Sequence, residues 1–178
     1  MEVLTLHGLV TYYVLFFIHL ESRSVEVTGI TPNPNEVWMK QIARNVTMDE
    51  WGFLDECRYL LHDRDTKYTH SFRQIIKSGR VEPLRLPPRS PNLNAYAERW
   101  VKSVKDECLS KLIFFGEASL RHALRNYLMH YHGERNHQGK GNVLLFPTIK
   151  TRVNSGDSPV RCEDRLGGLL KYYHREAA

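Results

Sequence analysis

The chain has few cysteines, no long hydrophobic run and no internal repeat. Its 178 residues include three cysteines and no C-x-x-C pair, which argues against a disulfide framework and against a structural zinc site. The longest apolar run, Leu9–Leu20, has 12 residues, whereas a membrane-spanning helix needs about 20. The acidic start, Met1-Glu2, lacks the basic character of a signal peptide. We therefore expect a cytoplasmic protein with no membrane partner.

Positive charge is concentrated in the second half of the chain. The 25 basic residues exceed the 20 acidic residues, which gives a net charge of +5. Residues 1–88 hold 10 basic and 11 acidic side chains, whereas residues 89–178 hold 15 and 9. A basic region beside a neutral one favours a polyanionic partner such as nucleic acid, although ordinary solubilising charge would give the same totals.

Hydrophobic periodicity predicts an α/β fold. The first 30 residues have the pattern of strands and turns, with one long buried strand over Leu9–Leu20. Four helical and two strand patterns follow: helices over Asn35–Thr47, before Gly79, through Ala97–Cys108 and over Ala118–His132, and strands at Arg58–Leu61 and Val81–Leu86. This order predicts a mixed sheet of about five strands flanked by helices.

A domain boundary is expected near Pro147. Apolar density falls after this residue, and Asn154–Pro159 has the composition of a linker. We predict a core over residues 1–147 and a linker with a basic C-terminal tail over residues 148–178. The tail combines cations with leucines and tyrosines, and it fits either a DNA-binding arm or a helix that docks on a partner. Its cations are Arg161, Arg165, Lys171 and Arg175.

Two acidic residues stand out because of their predicted positions. Asp63 follows a buried strand, where α/β sheets place functional groups. Glu98 lies on the helix after a proline-rich loop, with 34 residues between the two acids. Lys102 and Lys105 follow Glu98 at i+4 and i+7, on the same helix face. A solvated Glu–Lys pair would have the same spacing, so the surrounding residues decide between the two interpretations.

The residues around both acids form recognisable motifs. Asp63 lies in the segment LHDRDTKY, Glu98 ends the segment SPNLNAYAE, and Tyr131–Gln138 reads YHGERNHQ. Together these segments resemble the catalytic core of DDE transposases and retroviral-type integrases, especially bacterial insertion-sequence transposases. In that family a strand-end Asp is followed by a Glu after a Ser-Pro…Asn-Ala signature. The resemblance covers the chain from Leu9 to Pro147.

The resemblance implies an RNase H-like fold and metal-dependent DNA cleavage and strand transfer, the chemistry of DNA integration and transposition. Asp63 and Glu98 match the second and third acids of the family's catalytic triad. Intact relatives use two Mg²⁺ or Mn²⁺ ions to activate the attacking hydroxyl and to stabilise the leaving oxygen. The implied partner is DNA, in a bacterial cytoplasm, and the functional form is expected to be a homo-oligomer.

Basic residues near the acids are expected to contact the DNA backbone, and each phosphate contact would add salt-dependent affinity. Around Glu98 these residues are Arg89, Arg99, Lys102 and Lys105. Arg135 and His137 match the family's Y-N-x-x-R-x-H block. They are expected either to contact DNA or to pin the last core helix against the edge of the site.

Three positions depart from the family pattern. Asp65 replaces the glycine of the family's D-x-G turn, and it is either a spare acid or a surface residue paired with Arg64 or Lys67. His19 stands in the Asp place of the family's second-strand exit. The first acid of the triad is absent, because the only acid on the incomplete first strand is Glu2. We expect an N-terminal truncation, unless Glu2 substitutes for the missing Asp.

Three functions fit these observations. The first is a DDE core whose strand transfer is impaired because the first Asp is absent. The second is a catalytically inactive DNA-binding or dimerisation remnant of a transposase. The third is a two-metal nuclease of the RNase H-like fold, which would cut DNA but not join it.

Overall fold

The structure is a computed structural model that describes residues 1–88, 90–147 and 159–175. These ranges contain eight strands and four α-helices, together with short 3₁₀ turns. Their contacts divide the chain into two compact units: residues 1–17 with 26–99, and residues 18–25 with 100–178. None of the helices in the described ranges has the length and apolar character needed to span a bilayer.

The N-terminal strands form two pairs. Strand β1 (Glu2–Thr5) forms an antiparallel hairpin with β2 (Gly8–Thr11), and β3 (Tyr13–Ile18) pairs with β4 (Val25–Thr31). The long strand predicted over Leu9–Leu20 is therefore divided between β2 and β3. The division occurs because Tyr12 exchanges two hydrogen bonds with Met1, at 2.7 and 2.9 Å, which completes the first hairpin before the chain pairs with β4.

Helix α1 (Glu36–Val46) begins where the sequence predicts. Asn35 is its N-cap, and the Asn35 Oδ1 accepts the N–H of Trp38 at 2.9 Å. The helix packs closely on β4 because residue 29 is a glycine: a Cβ there would lie 2.5 Å from Cζ2 of Trp38. Any side chain at this position would force the indole ring to move.

A parallel β-α-β element follows. Strand β5 (Tyr59–His62) pairs in parallel with β6 (Glu82–Arg85), and α2 (His70–Ser78) connects them. Thr69 caps α2, since its Oγ1 accepts the N–H of Phe72 at 3.2 Å, and the helix ends at Gly79 as predicted. The pairing with β6 fixes the end of β5, and the residue that follows it, Asp63, is exposed.

Two α-helices and two strands complete the described part of the chain. They are α3 (Ala95–Glu107), α4 (Gly116–Gly133), β7 (Val160–Arg165) and β8 (Leu170–Arg175). Strands β7 and β8 form an antiparallel hairpin, so the basic tail is not the docking helix that was one expectation for it. The predicted linker lies outside the described residues except for Pro159. The boundary between a core over 1–147 and a tail over 148–178 stays a prediction.

The α/β class is confirmed, but the prediction of a single mixed sheet of about five strands is wrong for the residues that the structure describes. The eight strands pair two by two, as β1–β2, β3–β4, β5–β6 and β7–β8. Strands β3 and β5 are connected by packing instead, because Phe17 and Leu60 lie in one hydrophobic cluster with Phe72 and Ile76 of α2. Periodicity predicts which face of a strand is buried, and it does not predict which strand edges form hydrogen bonds.

Candidate functional site

Asp63 lies directly after β5, as predicted, in a turn fixed by hydrogen bonds. Its Oδ1 accepts the N–H of Asp65 at 3.0 Å, and the Asp65 Oδ1 accepts the N–H of Lys67 at 2.9 Å. The buried His62 donates from Nδ1 to the backbone carbonyl of Asp63 at 2.7 Å. The Asp63 residue itself is exposed. The turn therefore holds the backbone in place and leaves a carboxylate accessible to a ligand.

An aromatic stack supports this turn. The ring of Tyr68 lies 4.9 Å from the His62 ring and 5.4 Å from the Phe72 ring, centroid to centroid. Burial, and then the charges of Asp63 and Asp65, raise the pKa of Tyr68 to about 12. Burial also lowers the pKa of His62. Both rings are neutral near pH 7, so the charge of the turn comes from its carboxylates and from Arg64 and Lys67.

Asp65 is paired with Lys67, which confirms one of the two expectations for this residue. The Asp65 Oδ2 lies 2.8 Å from the Lys67 Nζ, and the hydrogen bond from Lys67 lowers the pKa of the Asp65 carboxyl. The φ angle of Asp65 is outside the left-handed region. The turn in this chain therefore does not need the glycine that the family pattern has there.

A cleft of about 150 Å³ opens beside Asp63. Apolar and aromatic side chains from β3 and α1, including Leu15 and Trp38, form one part of its lining, and the turn after β5 forms the rest. The Lys67 Nζ lies 5.2 Å from the ring centroid of Tyr13, within the range of a cation–π contact. Sequence analysis missed this cleft because its lining comes from three segments that are distant along the chain.

Glu98 lies in the first turn of α3, where the helix dipole favours a carboxylate. Lys102 and Lys105 follow on the same helix, and all three residues are exposed, as is Arg99. Arg89, the other predicted DNA contact near Glu98, lies outside the described residues. The helix therefore carries the predicted combination of one acid and several cations on accessible positions.

The two predicted metal ligands have the right donor chemistry for a hard divalent cation. Asp63 and Glu98 both offer carboxylate oxygens at exposed positions, and Mg²⁺ prefers such ligands together with waters and phosphate oxygens. Within 1–88, 90–147 and 159–175, no three His, Cys, Asp or Glu residues form a group that could hold a metal ion. The fit therefore rests on two acids, with solvent and substrate completing the coordination.

Arg135 and His137 make internal contacts. The Nε and Nη2 atoms of Arg135 donate to the two carboxylate oxygens of Glu107, at 2.9 and 2.7 Å, and Tyr127 donates its hydroxyl to the same carboxylate at 3.3 Å. The buried His137 donates from Nε2 to the carbonyl of Tyr131 at 2.7 Å. These contacts favour the second predicted role, pinning of the last core helix. Sequence analysis missed Glu107 because no local spacing rule connects it to Arg135.

A neutral histidine of α4 contacts Val25, the first residue of β4. His132 Nε2 accepts the N–H of Val25 at 3.0 Å, and only an unprotonated ring nitrogen can accept a hydrogen bond. Burial lowers the pKa of His132 and of His137. Protonation of His132 would therefore break a hydrogen bond as well as place a charge in a half-buried position.

Comparison with known families identifies part of this chain. Residues 79–143 match the family model of an integrase core domain. The matched segment includes Glu98, Lys102, Lys105 and Arg135, and it begins after Asp63. The match supports an integrase or transposase catalytic core and, at the level of the family, DNA integration or transposition, a chemistry that acts on DNA and typically depends on a divalent metal. No curated protein matches the chain.

The lowered pKa values of His132 and His137 predict a loss of stability in acid. The unfolded chain has histidines with ordinary pKa values near 6.5, and the folded chain has lowered ones. Below about pH 6.5 the unfolded state therefore binds more protons, and the free energy of unfolding falls as the pH drops through the lowered values. His132→Gln, which cannot titrate, should reduce this slope in urea unfolding at several pH values. His122→Gln, at an exposed position of α4, is the control, and an equal slope in both variants contradicts the prediction.

The Glu107–Arg135 pair predicts that Arg135 contributes to stability. Arg135→Ala leaves a partly buried carboxylate without its bidentate partner, so we expect the free energy of unfolding to fall by about 1–3 kcal/mol. Arg99→Ala removes an exposed cation from α3 and should change it by less than about 0.5 kcal/mol. Urea unfolding measures both. If Arg135→Ala is as stable as Arg99→Ala, the pinning role is wrong.

Proposed function

Because residues 79–143 match the family model of an integrase core domain, we propose that the chain processes DNA by metal-dependent strand cleavage and strand transfer. The observation that supports this most is the position of two exposed acids. Asp63 directly follows a strand of a parallel pair and Glu98 lies in the first turn of α3, and both belong to the first compact unit. The α/β class and the β5–α2–β6 element are compatible with the RNase H-like fold that is part of this proposal.

Asp63 and Glu98 are the proposed metal ligands. A bound Mg²⁺ or Mn²⁺ would supply Lewis-acid stabilisation of the phosphate oxygens and activation of the attacking hydroxyl. The chain's own contribution is to present the carboxylates. The hydrogen-bonded turn from Asp63 to Lys67 fixes the backbone that carries the first acid, and the N-terminal turn of α3 presents the second acid at an exposed position.

The proposed DNA contacts near the site are the exposed cations of α3. Arg99, Lys102 and Lys105 carry three positive charges on the helix that presents Glu98. A phosphate contact by each would lower the affinity at higher salt, with a slope of about 0.9 per contact on duplex DNA. Arg135 and His137 are proposed instead to act through the folded structure, because Nε and Nη2 of Arg135 and Nε2 of His137 make internal hydrogen bonds.

We also propose that strand transfer by this chain is impaired. The candidate site contains two carboxylates from the described residues, whereas the family resemblance implies three. Glu2, the candidate substitute, lies on the β1–β2 hairpin opposite Thr11, and its residue is exposed. A DNA-binding chain without catalysis is therefore the second candidate function, and it is favoured by the lack of a three-residue ligand group within the described ranges. Catalysis on two DNA ends would require a homo-oligomer. The proposed location of this oligomer is inside the cell, where its DNA substrate lies.

Substitution of either acid tests the proposed site. Asp63→Asn and Glu98→Gln keep the size of each side chain and remove the anionic oxygen that a divalent metal needs. We expect each to lower Mn²⁺-dependent cleavage and joining of labelled DNA by more than about 100-fold. Even the loss of a residue that only supports a metal ligand typically lowers metal affinity or activity by about 10–100-fold. The control is Asp106→Asn, which removes an exposed acid from the same helix as Glu98 and should retain wild-type activity.

The products of the same assay separate the candidate functions. Joined DNA supports strand transfer, and cleavage without joining indicates a nuclease. Binding without either product indicates the inactive DNA-binding module. Activity that survives Asp63→Asn contradicts the assignment of the site.

A further inference from the structure

The β7–β8 hairpin has two chemically different faces. Residues directly opposite each other in an antiparallel pair lie on the same face, and the register pairs Val160 with Arg175, Cys162 with Tyr173, and Asp164 with Lys171. We call the face formed by these six residues the outer face. The other face, which includes Arg165 and Leu170, is the inner face.

Ion pairing and burial hold the inner face against the end of α4. Leu170 is 5% exposed. The Nε atom of Arg165 donates to both carboxylate oxygens of Glu134, at 2.9 and 3.0 Å, and His130 Nδ1 lies 3.1 Å from the same carboxylate. Burial alone would raise the pKa of Glu134, but the hydrogen bonds from Arg165 and His130 outweigh it and lower the pKa. The ionised Glu134 therefore fixes the orientation of the hairpin.

The outer face presents an exposed aromatic ring between two cations. Tyr173 is 62% exposed, and Lys171 and Arg175 are exposed on either side of it in β8. At about 3.3 Å per residue, the two cations lie about 13 Å apart along the strand, with the tyrosine midway between them. By contrast, the inner face stacks Tyr172 on His174, with ring centroids 5.2 Å apart. The ring of Tyr173 is the one that the hairpin offers to solvent.

We propose that the outer face of the β7–β8 hairpin binds a single strand of nucleic acid, with Tyr173 stacked on a base and Lys171 and Arg175 at the neighbouring phosphates. Base stacking on an exposed aromatic ring and cationic contact to phosphates are the two components of single-strand binding. The proposal rests on the proposed DNA-processing function for the identity of the polymer. It adds a contact surface that lies outside residues 79–143, the segment that matches the integrase core domain.

Charge and shape favour nucleic acid over an acidic peptide. An acidic peptide would satisfy the two cations, but it would leave the flat ring of Tyr173 without a stacking partner. A nucleotide strand supplies both an anion and an aromatic base at every residue, so it uses all three side chains. If removal of a cation weakens binding and removal of the Tyr173 ring does not, the partner is of a different kind.

Fluorescence anisotropy with a labelled single-stranded oligonucleotide and the full chain tests the proposal. We expect Tyr173→Ala to weaken binding by at least about fivefold, since stacking on one base is worth about that factor or more. Tyr173→Phe keeps the ring and should bind as the wild type does. Lys171→Ala should reduce the slope of log K against log salt by about 0.7, which is one phosphate contact on a single strand.

Two matched controls separate the outer face from general effects. Tyr59→Ala removes another exposed tyrosine, 50% exposed on β5, and should leave the affinity unchanged. Asp164→Asn removes a negative charge from the outer face opposite Lys171 and should bind at least as tightly as the wild type. Urea unfolding of Tyr173→Ala and Tyr173→Phe should give the same midpoint, so that a difference in binding reports on the ring.

The outcomes distinguish this proposal from the proposed function. If Tyr173→Ala binds as tightly as the wild type while Asp63→Asn loses cleavage, the hairpin proposal is wrong and the proposed function stands. If Tyr173→Ala binds weakly and Asp63→Asn has no effect on cleavage, the hairpin proposal stands and the site assignment is wrong. If Lys171→Ala weakens binding and Tyr173→Ala does not, base stacking is wrong. A wild-type chain that binds no DNA overturns both.

Discussion

The turn after β5 is the constraint on which the candidate site depends. Two successive hydrogen bonds, from the Asp65 N–H to Asp63 and from the Lys67 N–H to Asp65, hold the backbone. The buried His62 fixes the Asp63 carbonyl from the other side, and Tyr68 packs the turn onto α2 through Phe72. An accessible carboxylate is useful to a metal only where its backbone does not move, so the chemistry proposed for Asp63 follows from this packing.

In the second compact unit, two arginines are held in pairs with carboxylates inside the folded structure. Glu107 accepts hydrogen bonds from Nε and Nη2 of Arg135, and Glu134 accepts hydrogen bonds from the guanidinium of Arg165. Charge-assisted bidentate bonds of this kind are strong and directional, so these arginines act in the folded structure. Lys102 and Lys105 of α3 and Lys171 of β8 are exposed, and their proposed role is contact with the DNA backbone.

Local features were predictable from the sequence, and long-range pairing was not. The cap at Asn35, the end of α2 at Gly79 and the position of Asp63 directly after a strand follow from capping chemistry and periodicity, although that strand is buried on one face only. The pairing of Arg135 with Glu107 and the cleft beside Asp63 depend on residues brought together by tertiary packing. For the same reason the sequence predicted the short strands β5 and β6, whereas the long strand over Leu9–Leu20 and the single sheet were wrong, because the pairing of strand edges depends on tertiary structure.

The central claim is that Asp63 and Glu98 hold the same divalent cation. Titration of the full chain with Mn²⁺, followed by electron paramagnetic resonance, tests this with a double-mutant cycle of Asp63→Asn and Glu98→Gln. If the two acids share one ion, each substitution weakens Mn²⁺ binding and the double variant loses little more than either single variant. Independent, additive losses, or Mn²⁺ binding that neither substitution changes, would contradict the account.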